Sequence, residues 1–258
     1  MRELVKKFYL WLIFLFLYAP ILVLVLYSFN ASKSRASWGG LSLRWYVELF
    51  QDRAIMSALA NTVVIALVSA IVAAIAGTIA AVGIYNLKGW TKSFVMNVTY
   101  MPILNPDIVL GISMMILFIA VSFPRGMTSL ILAHITFGLP YVVVSVLPKL
   151  AQLNPQIFDA ALDLGATPRE AYVQVILPQI LPGVFTGFLL AFTMSVDDFV
   201  VSFFVTGNGV ANLAISIYAM ARRGVNPKIN AVLTLLFLAV AAMMALIQKR
   251  LKKTTQDI

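Results

Sequence analysis

Three aspartates, Asp107, Asp197 and Asp198, lie inside long apolar stretches of the chain. A carboxylate near the centre of a spanning helix costs about 3 kcal/mol on insertion scales, so such a group faces a wet cavity or a partner. If the apolar stretches holding them enter the membrane near Phe94 and Gly183, Asp107 and Asp197 lie 13 and 14 residues in. That is roughly 20 Å at helical rise, which puts the acids in one layer just outside the midplane. An acidic layer in an aqueous pathway favours a cationic solute. Tyr141, Phe192, Phe199 and Phe203 fall near the same depth and could offer ring faces to ammonium groups, or simply pack. A second reading of the acids stands beside the first. Asp107 caps a helix restarted after Pro106, and the 197/198 pair balances buried polar backbone.

The remaining reactive inventory is thin. There is no cysteine, which excludes disulfides, thiolate catalysis and cysteine metal sites. His134 is the sole histidine and reads as a packing or hydrogen-bonding residue rather than a proton relay or metal ligand. Glycine is never followed by lysine, so a phosphate-binding Walker loop is absent and nucleotide hydrolysis cannot be located here. With no nucleophile and base in evident reach, the chain reads as a non-catalytic protein with no cofactor or metal of its own.

The elements that must position these groups are membrane helices. Of the 258 residues 61% are hydrophobic and 11% charged, and the mean hydropathy is +0.94, values of a polytopic membrane protein. The pattern predicts an all-α fold with six transmembrane helices, over approximately 8–29, 58–85, 94–120, 127–147, 183–205 and 229–248, as one transmembrane domain covering 1–258. The first stretch is too long and too aromatic for a cleaved leader. The third is interrupted by Pro102, Asn105, Pro106 and Asp107, a break tolerated at membrane depth only where protein or water satisfies the loosened backbone. Gly183-x-x-x-Gly187 opens the fifth and is a close-packing signal. Trp38, Trp45, Tyr46, Leu49 and Phe50, in the first long connection, fit an interfacial helix or an anchored loop. The net charge of +9 sits beside apolar segments, so it speaks for membrane topology and not for nucleic acid. Six spans put both termini on one side, with 11 of the 19 Lys and Arg. The charges nearest helix ends cluster in the tails and the shortest turn, which places that side in the cytoplasm.

Between the fourth and fifth spans lies a polar, turn-broken island, Asn154 to Pro182. It predicts two short helices with a corner. Asn154 caps the first and Gly165 stops it. Thr167, Pro168 and Glu170 form a capping box for the second, which Pro178 closes. Ile157, Ala160, Ala161 and Leu164 recur at i, i+3, i+4 and i+7, a narrow apolar face beside Asp159 and Asp163. Such a face suits a groove on another protein, or packing on the chain's own membrane helices.

Asp159, Ala160, Ala161 and Gly165, followed after a fixed spacing by Val175, Leu177 and Pro178, resemble the EAA loop of the permeases of bacterial ABC importers. Asp159 stands where that motif usually has Glu, and Val175 where it has Ile. The whole chain, with NPDIVLG (Asn105 to Gly111) and SVDDFVVSFF (Ser195 to Phe204), resembles the spermidine/putrescine permeases within that binding-protein-dependent family. The resemblance implies a subunit of an ATP-driven importer in the bacterial inner membrane. It would assemble with a second, similar permease, two copies of an ATPase that binds ATP and Mg, and a periplasmic polyamine-binding protein. Asp159, Ala160, Ala161, Gly165, Ala166, Leu177 and Pro178 would couple the membrane helices to that ATPase from the cytoplasmic side. The candidate substrate residues, Asp197, Asp198, Asp107, Phe199 and Tyr141, come from the acidic layer and not from the resemblance. Other readings remain open: an importer permease for another substrate, or a secondary transporter of a small cation driven by an ion gradient. Arg222 and Arg223, in an outer connection, would repel an entering cation unless they point at a partner protein or lipid.

Overall fold

The computed structural model describes the backbone of residues 2–33, 37–207, 209–223 and 227–256, and side chains within 6–242. Among these residues the ordered elements are helices, joined by one isolated bridge between Asn30 and Leu41. Arg2 and the basic C-terminal cluster Lys249, Arg250, Lys252 and Lys253 lie outside the described side chains. Packing divides the chain into two compact units, 1–57 with 216–258, and 58–215.

In the first unit, α1 (Arg2–Ser28) and α2 (Arg44–Gln51) both pack on α11 (Pro227–Gln256). The aromatic connection is helical only over α2. Trp45 and Leu49 point inward one turn apart, while Val47 and Phe50 stay exposed and Trp38 lies outside the helix. The buried Trp45 indole N–H donates to the Asn30 carbonyl at 2.6 Å. The Asn30 carboxamide in turn accepts from the Ser32 and Gly39 backbone N–H groups, at 3.1 and 2.8 Å. Satisfying both of those groups lets the turn close without orphaned polar atoms. Lys228, at the start of α11, reaches Asp52 at 3.4 Å and Glu48 at 3.7 Å.

The second unit holds the rest: α3 (Arg53–Asn86) from Ala58 onward, α4 (Gly89–Leu104), α5 (Asp107–Ala120), α6 (Met127–Gln152), α7 (Gln156–Asp163), α8 (Pro168–Asp197) and α9 (Val200–Val205). A last helix, α10 (Leu213–Arg222), runs out of it. The core forms where α3, α6 and α8 approach closely, around Val142, Val143 and Val146. Glycine makes that approach possible. A Cβ on Gly187 would meet the Val142 Cα at 2.7 Å, and one on Gly183 the Ser145 carbonyl at 2.9 Å. The Gly-x-x-x-Gly signal is thus a backbone contact between α8 and α6, of the kind by which helices associate where no hydrophobic drive separates them from lipid.

By length and composition, four helices can cross a membrane, Lys6–Ser28, Arg53–Asn86, Met127–Gln152 and Pro168–Asp197. A fifth results if the bent pair α4 and α5 counts as one span. The expected sixth, 229–248, starts in α11, whose apolar part with described side chains is Pro227–Ala242.

The break expected inside 94–120 falls at Asn105 and Pro106, where α4 and α5 meet at 105°, so this stretch is not one straight rod. Pro106 cannot donate a backbone N–H and forces Asn105 out of the helical region, to φ −81° and ψ 144°. Two other expectations need correction. The stretch 183–205 is not continuous, since α8 ends at Asp197 and α9 starts at Val200. There the carboxylate of Asp198 takes over the backbone, accepting from the N–H groups of Val201 at 3.2 Å and Ser202 at 2.7 Å. Finally, Pro178 does not close the island. From Pro168 the chain stays helical past Pro178 and Pro182 to Asp197, with a π-helical turn at Ala171–Ile176. That widened turn lies where the proline ring would collide with the Gln174 carbonyl, so the helix loosens there and continues.

Candidate functional site: an acidic cavity and the corner that could move it

Two helix breaks, α4 to α5 and α8 to α9, meet the middle of α6. Between them lies a cavity of about 230 Å³ that brings together Asp107, Tyr141, Asp197, Asp198 and Phe199, with Pro102, Phe137 and Met194 among the apolar lining. The local sequence explains the gathering. Asp107 begins α5, where a carboxylate is favoured by the helix dipole. Phe137 and Tyr141 are one turn apart on α6. Asp197 is the last residue of α8. Phe192 and Phe203 do not line the cavity. Phe192 instead stacks on Phe188, at 6.2 Å between centroids, and Phe203 meets Phe199 at a tilt, at 5.4 Å.

The three acids have different surroundings. Asp107 is exposed, and among the described residues its carboxylate accepts no hydrogen bond and makes no side-chain cap. Asp197 is exposed too. The Asp198 side chain is only 9% exposed, and its Oδ2 lies 3.5 Å from Nε2 of the fully buried His134. His134 is accordingly a hydrogen-bonding residue. Its Nδ1 is 2.5 Å from Ser195 Oγ and its Nε2 3.0 Å from Ser202 Oγ. The network extends through Asn212, whose Nδ2 donates to Ser202 Oγ at 2.8 Å and to the Asp198 carbonyl at 3.2 Å. Ser195, Ser202 and Asn212 escaped the sequence reading, although a signal was there. Ser195, Asp198 and Ser202 stand at i, i+3 and i+7, one polar helical stripe inside an apolar run, and Asp197 falls off that stripe. Among the described residues no group of His, Asp and Glu could hold a metal ion.

At the other end of α8 the island forms a built corner. Asn154 Oδ1 accepts from the Gln156 N–H at 3.0 Å. Gly165 adopts φ +89°, with its N–H bonded to the Leu162 carbonyl at 2.9 Å and the Ala166 N–H to Ala161 at 3.1 Å. This paired closure needs the left-handed conformation glycine tolerates. The capping box forms, with Thr167 N–H donating to Glu170 Oε2 at 2.8 Å and Glu170 N–H to Thr167 Oγ1 at 3.3 Å. The apolar face of α7 divides, however. Ile157 and Ala161 pack inward with Phe158, whose ring lies 4.8 Å from Tyr172, while Ala160 is exposed and Leu164 is 90% exposed. Asp159 and Asp163 are exposed beside them, and Leu177 and Pro178 belong to α8. The corner therefore presents a small apolar patch with flanking carboxylates.

Comparison with known proteins locates this architecture. The family model described as "binding-protein-dependent transport system inner membrane component" matches residues 73–256. Over 235 residues the chain is 45% identical to the putrescine transport system permease protein PotI of Escherichia coli (strain K12), covering 88% of this chain and 83% of that protein. Over 247 residues it is 36% identical to the spermidine/putrescine transport system permease protein PotC of Haemophilus influenzae, covering 96% of both. Among solved structures, a bacterial ABC transporter involved in the import of the acidic polysaccharide alginate shares the fold, with a TM-score of 0.68 at 16% identity over 94% of each chain.

Proposed function

We propose, of a chain that belongs to the family of binding-protein-dependent transport system inner membrane components, that it is the permease subunit of an ATP-driven polyamine importer. The single observation that carries the substrate class is the cavity in which Asp107 and Asp197 stand beside Tyr141 and Phe199. Carboxylates and ring faces together are what alkylammonium groups bind. The permeases it resembles at 45% and 36% identity, named for putrescine and for spermidine/putrescine transport, support the same class.

The geometry also supports a coupling route. The 30 residues of α8, about 45 Å at helical rise, run from the capping box at Thr167 to Asp197. Force applied at the α7 corner reaches the acidic end along one helix. In this reading six spans place both termini and the α7 corner in the cytoplasm, where the exposed Ala160, Leu164 and Gly165 dock on an ATPase that binds ATP and Mg. A second permease completes the pathway, two ATPase copies drive it, and a periplasmic polyamine-binding protein delivers the solute. ATP shifts the balance of inward-open and outward-open states only by binding one better than the other, so those states lie close in energy. Arg222, whose guanidinium lies 5.9 Å over the Tyr218 ring, and Arg223 belong to the outer side in this topology.

Purification from membranes followed by reconstitution tests the reading. A second permease and an ATPase should co-purify, and putrescine or spermidine uptake should require ATP and the binding protein. Uptake by this chain alone, driven by an ion gradient, would overturn it.

A further inference from the structure

The two neighbouring aspartates are not equivalent, and the group that separates them is buried behind the cavity wall. At residues 198 and 199 the helix is broken, and the segments on either side share one partner. Ser195, one turn before the break, and Ser202, one turn after it, sit on the two ring nitrogens of His134, at 2.5 and 3.0 Å. One rigid imidazole thus bridges α8 and α9 from α6. Asn212 fastens the same point from a third direction through Ser202 and the Asp198 carbonyl. On the α8 side Ser69 Oγ stands 3.5 Å from Ser195 Oγ. Asp198 contributes atoms to the cavity wall, but both its oxygens are engaged backward. Oδ1 accepts from Val201 N–H, and Oδ2 accepts from Ser202 N–H and faces His134. Asp197 is exposed and accepts no side-chain or backbone donor from this network.

We propose that His134 is a positioning residue, which clamps the break, holds Asp198 out of the solute path and leaves Asp197 as the acid of the pair that meets the cation. That the solute is a cation rests on the proposed function, while the division of labour between the acids rests on geometry alone. A buried polar network of this kind favours one arrangement because the alternatives strand buried polar groups. Isolated from water by its neighbours, His134 orders the site without touching the solute.

The chain has no cysteine, so single introduced thiols report orientation cleanly. The experiment takes Asp197→Cys and Asp198→Cys in the full-length chain, assembled with its importer partners in membrane vesicles, and measures labelling by a small cationic methanethiosulfonate. Cys at 197 should label, and Cys at 198 should label at least about tenfold more slowly, because a thiol facing a packed interior is inert. Equal rates at the two positions, or labelling at 198 but not at 197, overturn the proposal. Combining Asp197→Cys with His134→Leu should lower the labelling rate at 197, whereas His134→Gln, which keeps one donor and one acceptor, should recover part of it. Unchanged labelling in His134→Leu removes the clamp. Should His134→Leu fail to assemble, the comparison of 197 with 198 still decides. Labelling does not depend on which solute is carried, so a failure of polyamine uptake in the parent importer would count against the function and leave this result readable.

Discussion

The position a Cβ would take on Gly187 lies 2.7 Å from the Cα of Val142, closer than any side chain permits. This contact sits where α8, which carries the acid of the cavity at one end and the capped corner at the other, rests on α6. Replacing Gly187 by Val should force the helices apart at a cost of about 1 to 3 kcal/mol, the usual range for overpacking. The melting temperature of the detergent-solubilised chain should fall. Gly83, where an added Cβ meets nothing within 4 Å, is the control, and Gly83→Ala should leave the melting temperature unchanged or raise it slightly. Equal behaviour of the two variants would contradict the packing described.

The acids of the cavity should separate in a transport assay. Asp197→Asn removes charge from an exposed group and should weaken polyamine uptake about tenfold or more at normal protein level, that is, by some 1.4 kcal/mol of interaction. Asp198→Asn weakens a helix cap and the partner of a buried imidazole. Its first effect should be on protein level and melting temperature, by about 1 to 3 kcal/mol. The reverse assignment, with 198 the transport mutant and 197 the unstable one, would show in immunoblots run beside the uptake curves.

At the corner, Leu164→Asp and Ala160→Trp alter exposed side chains that make little contact with the chain itself. Both should reach the membrane at parental level and lose ATP-driven uptake, with the ATPase released on solubilisation. Gly165→Val differs, because φ +89° is strained for a β-branched residue by about 1 to 3 kcal/mol, so it should lose protein level as well. Normal uptake in the Leu164 and Ala160 variants counts against docking at this patch.

The π-helical turn at Ala171–Ile176 offers a test of rigidity. Such a turn holds one residue more than an α-helix needs, so deleting Val173, which is exposed, should restore regular α-helix and keep the flanking faces in register. If the loosened turn lets the corner move relative to Asp197, the deletion variant should assemble with its ATPase and hydrolyse ATP while transporting less per ATP consumed. An unaltered ratio of solute to ATP would mean that the turn merely accommodates Pro178.

Much of this molecule is legible in local patterns. Apolar runs announce the spanning helices because lipid leaves backbone polar groups no other partner. Asn154, Gly165, Thr167 and Glu170 are caps whose partners lie within three residues or so, so their chemistry is readable from spacing. Asp107, Asp197 and Asp198 stand out because a carboxylate in an apolar run demands an explanation. What spacing cannot convey is which way each break turns. Asn105 and Pro106 mark a kink, but its 105° depends on where α5 finds a surface to pack against. The break after Asp197 has no proline or glycine to signal it; Asp198 caps the restarted helix locally, but the tie across the break comes from His134, 61 residues from Ser195 and 68 from Ser202. Composition and periodicity determined that this is a membrane protein with acids inside its apolar runs and a capped polar corner. Only the tertiary structure decided which acid faces the cavity and which faces the imidazole, because that choice is made by hydrogen bonds between segments that no local pattern connects.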